Sequence, residues 1–89
     1  MLKSIAMSDQ NKLAILNFLS SNVTPGVPTR LSFNSLVKTL NISKEIVDSL
    51  LIQLNRDRFI SQYAKKGVDG FTVVLNQKGI DAVQDESFI

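Results

Sequence analysis

Ile42-Ser43-Lys44-Glu45-Ile46-Val47-Asp48-Ser49-Leu50-Leu51-Ile52-Gln53-Leu54, followed shortly by Phe59-Ile60, is the stretch on which the fold turns. Ser43 is a residue that caps helices, because its hydroxyl oxygen can accept one of the free N–H groups of a first turn. Val47, Leu50, Leu51 and Leu54 then fall at i, i+3, i+4 and i+7, the spacing of one buried helical stripe. The helix is expected to run to about Arg56. With that stripe inward, Glu45, Asp48, Ser49, Ile52 and Arg56 point outward, with Gln53 at the edge and Lys44 at the flank.

Working toward the N-terminus, Asn41-Ile42 reads as a tight turn, and Ser32 as the cap of a shorter helix, Phe33 to Leu40, burying Leu36, Val37 and Leu40. Arg30-Leu31 is a very short strand. Asn22-Val23-Thr24-Pro25-Gly26-Val27-Pro28-Thr29 is a loop, since two prolines and a Pro-Gly pair exclude regular pairing. A first helix is capped by Ser8, has Asp9 in its first turn and carries Leu13, Ile15, Leu16, Phe18 and Leu19 through Ser20. Leu2, Ile5 and Ala6 extend its apolar strip backward.

Toward the C-terminus, Phe59 to Lys65 and Phe71 to Leu75 have strand composition. The intervening Lys66-Gly67-Val68-Asp69-Gly70 is a hairpin loop, with Asp-Gly as its turn signal. Phe71, Val73 and Leu75 share one face by alternation. Arg56 to Gly70 holds four basic residues against Asp57 and Asp69, the most positive part of the chain. Asn76 caps a last helix, Gln77 to about Gln84, which buries Ile80 and Val83. Asp85-Glu86-Ser87-Phe88-Ile89 is a tail.

The order is helix, strand, helix, helix, strand, strand, helix in one α+β domain spanning residues 1–89, with a core over about 8–84 and terminal extensions 1–7 and 85–89. From roughly Lys12 to Val83 it resembles the winged helix-turn-helix superfamily, including the MarR-like and PadR-like regulators. Two stretches carry the resemblance: Leu40-Asn41-Ile42-Ser43 through Phe59-Ile60, and Leu75-Asn76-Gln77-Lys78-Gly79, which is similar to the Leu-Thr-x-Lys-Gly exit from the wing. Both are patterns of packing and capping, so they speak to fold and name no single protein. Arg58 stands where these families often place glycine. A left-handed backbone would strain arginine there, so a differently built corner is expected.

The resemblance implies a small sequence-specific DNA-binding protein, a dimeric transcriptional regulator with the third helix in the major groove and the hairpin as a wing on the backbone. Ser43, Lys44, Ser49, Ile52, Gln53 and Arg56 are then the candidate contacts of the helix. Gln53 is suited to adenine and Ile52 to a thymine methyl. Lys65 and Lys66 grip phosphates from a flexible wing tip, with Arg30 and Lys38 at the flanks. The expected partners are double-stranded DNA and a second copy joined through the terminal segments, where Phe88-Ile89 adds two apolar residues.

Charge gives the DNA reading little help, because the formal net value is only +2 and the outer face of the third helix sums close to zero. That acidic and apolar face, Glu45, Asp48 and Ile52, equally suits a protein-interaction module in a larger assembly. An enzyme is disfavoured. With 0 His and 0 Cys the commonest bases, nucleophiles and zinc ligands are missing, and no spacing of Asp, Glu, Ser or Lys suggests a catalytic pair. No cofactor or metal pattern is present. No apolar run approaches the ~20 residues of a membrane span, and the N-terminus is too short in apolar residues for a signal-peptide core. A cytoplasmic location, with no membrane partner, is the expectation.

Overall fold

The computed structural model describes residues 7–85, with side chains from Asp9 onward. The elements are α1 (Met7–Asn22), β1 (Thr29–Ser32), α2 (Phe33–Leu40), α3 (Lys44–Arg56), β2 (Ile60–Lys66), β3 (Gly70–Leu75) and α4 (Gln77–Asp85). The described residues thus form an α+β fold of four helices and a three-stranded antiparallel sheet of order β1-β3-β2. Leu2, Ile5, Ala6 and Phe88-Ile89, the terminal segments expected to join two copies, lie outside the described residues.

The third helix starts and stops where its residues require. Ser43 Oγ accepts from Ile46 N–H at 3.3 Å, and Val47, Leu50, Leu51 and Leu54 are buried. At its end Arg58 N–H donates to Asn55 O and Phe59 N–H to Leu54 O, the paired bonds of a Schellman stop. The residue at the left-handed position of that stop is Arg58, at φ 69. The corner is therefore built in the usual left-handed way despite the arginine, against the expectation of a different build. Three further ties hold it: Asn76 Nδ2 donates to Arg58 O at 3.0 Å, Asn76 N–H to Phe59 O at 3.2 Å, and Lys78 Nζ to Asp57 O at 2.9 Å. Burial of Phe59 against the core favours the same geometry.

The start of α2 draws on residues far away in sequence. Ser32 Oγ accepts from Ser35 N–H at 3.2 Å, as expected of a cap. The carbonyl of Asp69 accepts from Phe33 N–H at 2.8 Å, and its carboxylate from Asn34 N–H at 3.2 Å. The first three N–H groups of the helix are thus all partnered, two of them by the hairpin tip. Its far end is closed by Asn41 in the left-handed region.

Several boundaries differ from the sequence expectation. α1 already includes Met7, so Ser8 lies inside the helix rather than capping it, and α1 runs past Ser20 to Asn22. The extension is held by Asn22 Nδ2, which donates to Phe18 O at 2.7 Å and satisfies a terminal carbonyl. α4 includes Asp85 and buries Gly79 and Ala82, whereas Ile80 and Val83 stay half-buried. The carbonyl of Asn76 accepts from Gly79 and Ile80 N–H, but its side chain serves the Arg58 corner and Ser61 instead of the helix. In the hairpin, Lys66 pairs with Gly70, leaving Gly67-Val68-Asp69 as the loop. The positive φ falls at Gly67, so Gly70 belongs to β3 and the Asp-Gly pair is not the turn.

β2 also carries a bulge that nothing in its composition announced. Its pairing with β3 steps from Ser61↔Val74 to Ala64↔Thr72, one residue more on β2 than on β3. Gln62 takes up the extra residue at φ 54. The core lies between α1, α2 and α3 and the inner face of the sheet, where Leu16, Leu36, Leu51, Ile60, Phe71 and Leu75 are fully buried. Among the described residues no helix is long and apolar enough to cross a membrane.

Candidate functional site

α3 leaves Lys44, Glu45, Ile46, Ser49, Ile52 and Arg56 exposed, with Gln53 half-buried at the edge. Ser49, Ile52, Gln53 and Arg56 thus stand together on one open arc of the helix, as the 3.6-residue period requires. Ile46 and Ile52 are 46% and 49% exposed. Ser43 and Lys44 sit at the start of α3, beside the hairpin tip. Their polar atoms are already engaged. Ser43 Oγ caps the helix, while Lys44 Nζ donates to Val68 O at 2.9 Å and lies 5.3 Å from the Phe33 ring centre.

The outward position expected for Asp48 is corrected. Asp48 and Asn55 are seven residues apart, two turns, and both face β2, against which α3 packs. Tyr63 meets both. Its hydroxyl donates to Asp48 Oδ1 at 2.6 Å, and its N–H, left without a strand partner by the bulge, donates to Asn55 Oδ1 at 3.3 Å. The ring packs edge-on against Phe71, with centroids 5.7 Å apart. Burial, then the Asp48 hydrogen bond, then the negative charge of Asp48 push the Tyr63 hydroxyl far above its ordinary pKa.

Lys65 completes this joint, its Nζ lying 3.3 Å from Asp48 Oδ2. The ion pair is partly open to water and worth at most about 1 kcal/mol. Its weight is in direction, because it holds Lys65 against α3. Lys66 is exposed on the opposite face of the hairpin, so the two lysines grouped together in the sequence do not act on one surface. Arg56 remains exposed, with only a 3.9 Å approach to Asp57.

The hairpin tip is tied down instead of free. Phe33 N–H, Asn34 N–H and Lys44 Nζ all donate to its Val68 and Asp69 oxygens, which corrects the expected flexible tip. Val68 itself projects 93% exposed from it. The joint of Asp48, Asn55 and Tyr63 was missed from the sequence. The seven-residue spacing of Asp48 and Asn55 was its one available signal. Among the described residues no cluster of metal-binding side chains is present, and a pair of open grooves along α1 is lined by none of the candidate residues. Compared with protein-family models, curated proteins and solved structures, the chain gives no match.

Proposed function

We propose that this chain is a winged helix-turn-helix protein that binds double-stranded DNA sequence-specifically, with α3 in the major groove and the β2–β3 hairpin as a wing along the backbone. On this reading it is a transcriptional regulator acting as a dimer, since a second copy would double a small set of contacts. The observation that carries the reading is the direction of Asp48. Turned to Tyr63 and Lys65, it leaves Glu45 as the acid on an exposed helix face that otherwise offers Ser49, Gln53, Ile52 and Arg56. A face with hydrogen-bonding side chains, a methyl-bearing residue and a cation at its end suits base edges and the flanking phosphates.

The test is fluorescence anisotropy with labelled random-sequence duplex at ~50 and ~200 mM salt, where micromolar binding that weakens steeply with salt is expected. With a selected site in hand, Gln53→Ala should cost ~1–3 kcal/mol on that site and little elsewhere. An equal loss on every duplex would remove the base-reading role of Gln53. Absence of binding at the lower salt would overturn the proposal, because non-specific affinity is electrostatic and must appear there.

One observation favours a second reading. Ile46 and Ile52 expose about half their surface on either side of Glu45 and Ser49, an arrangement suited to a protein partner in a larger assembly. The same titration separates the two readings.

A further inference from the structure

Alternation along the paired strands sorts the basic residues of the sheet onto two faces. Leu31, Phe71 and Lys65 are partners across the sheet, and Phe71 at 0% exposure marks theirs as the core face. Ser32, Gly70 and Lys66 are partners in the neighbouring row, and Arg30 with Thr72 and Ala64 in the next row on that same face. Arg30 and Lys66 therefore project together from the outer face of the sheet, near the hairpin tip.

Gly70 decides how Arg30 lies. A Cβ there would stand 2.9 Å from Arg30 Nε and 3.0 Å from Nη2, closer than side-chain atoms pack, and 2.8 Å from the carbonyl oxygen of Lys66. A Cβ on Gly67 would lie 3.7 Å from the same Nη2. The guanidinium thus rests across the backbone of β3 in the gap that Gly70 leaves and reaches toward the tip. Gly70 is buried beneath it.

The charged ends of Arg30 and Lys66 have no hydrogen bond or ion pair to a described residue. The acid nearest in sequence to that row, Asp69, is turned to the start of α2, where Asn34 N–H holds its carboxylate. An arginine laid down by packing has already given up rotamer freedom, and its planar fork matches phosphate oxygens. We infer that Arg30 and Lys66 form a site for the phosphodiester backbone of duplex DNA on the outer face of the sheet, and that Lys65 is not a phosphate contact but a positioning residue for α3 and β2. This rests on the DNA-binding reading above and reassigns the grip expected of the paired lysines to β1 and one lysine.

The test uses the full chain, random-sequence duplex and a salt series, comparing Arg30→Gln, Lys66→Gln and Lys65→Gln, each first checked for wild-type thermal unfolding. Losing one phosphate contact lowers the slope of log K against log salt by about 0.9 and weakens binding roughly eightfold near ~0.1 M salt. Arg30→Gln and Lys66→Gln should each do this on every sequence alike, and Lys65→Gln should change the slope far less. Lys66 is exposed, so its variant still decides the matter if Arg30→Gln fails the folding check. Wild-type binding with unchanged slopes for Arg30→Gln and Lys66→Gln would remove the site while leaving DNA binding intact. Loss of the slope in Lys65→Gln alone would return the contact to Lys65. No salt-sensitive binding by the wild type would take the site down together with the proposed function.

Discussion

Raising the pH tests the joint between α3 and the hairpin through a single chromophore. Tyr63 is the chain's 1 tyrosine and there is no tryptophan, so near-ultraviolet tyrosinate absorbance reports this hydroxyl alone. Ionising it in the folded protein removes the proton that bridges to Asp48 Oδ1 over 2.6 Å and leaves a phenolate facing a carboxylate. Burial opposes the charged form most, the lost hydrogen bond next and the Asp48 charge last, all in one direction from the ordinary value of 10.0. The folded protein therefore keeps the proton at a pH where the unfolded chain has released it. Stability from this source is complete below about pH 10 and declines as pH rises beyond it. One proton sets an upper slope of about 1.4 kcal/mol per pH unit, reduced here because the side chain is partly open to water. Against a total of roughly 5 kcal/mol for a small domain, two pH units remove at most about 2.8 kcal/mol, about half of the stability.

In urea, tyrosinate should therefore appear with a midpoint near 10, and in native buffer only together with loss of the helical circular-dichroism signal. Asp48→Asn keeps an acceptor and removes the charge, so it should lower the native midpoint without exposing the ring. A native midpoint near 10 with the fold intact would refute the reasoning. It would mean that the hydroxyl faces solvent and that Asp48 is free to point outward, which also removes the main support for the exposed face of α3.

Two substitutions test the corner where α3 meets α4. Gly79→Ala gains about 1 kcal/mol of helix propensity, but its Cβ would stand 2.5 Å from Phe59 O and 2.9 Å from Leu75 Cδ1. A net loss of ~1–3 kcal/mol in urea unfolding is expected, and a more stable variant would show that α4 can move off the sheet. Arg58→Gly relieves a left-handed arginine and should stabilise by roughly 0.5–1 kcal/mol on the same assay. A loss would mean that the arginine side chain makes a contact that matters to the corner.

What the sequence disclosed follows from local periodicity. Val47, Leu50, Leu51 and Leu54 identify α3, Ser43 its start and Ser32 the start of α2, because spacing and capping act within a few residues. The bulge was not legible, since Gln62 is not a residue that advertises a positive φ. Nor was the Asp69 cap on α2, whose bond to Asn34 spans 35 positions. The helical wheel put Asp48 outside because it gives the angle of a side chain and not the presence of β2 along that flank. The opposite directions of Lys65 and Lys66 were available from strand alternation and were hidden by treating adjacent charges as one group.

That last difference bears on how charge is read as function. Summed along the sequence, the third helix and hairpin look nearly neutral, which counts against a polyanionic partner. Summed over the structure, Asp48 faces Tyr63 and Lys65, Asp69 faces the start of α2, and Lys44 faces the tip carbonyl. Lys44 and Asp69 carry opposite charges that offset one another around the tip, and Asp48 with Lys65 presents a dipole, whose field falls off faster than that of a single ion. At physiological salt, screening over about 8 Å shortens its reach further. The field met by an approaching partner is therefore weighted toward the groups without a close partner, Arg30 and Lys66, with weakly paired Arg56, against Glu45. Near-neutral totals and a locally positive surface are compatible here because Asp48 and Asp69 are engaged in holding the elements together.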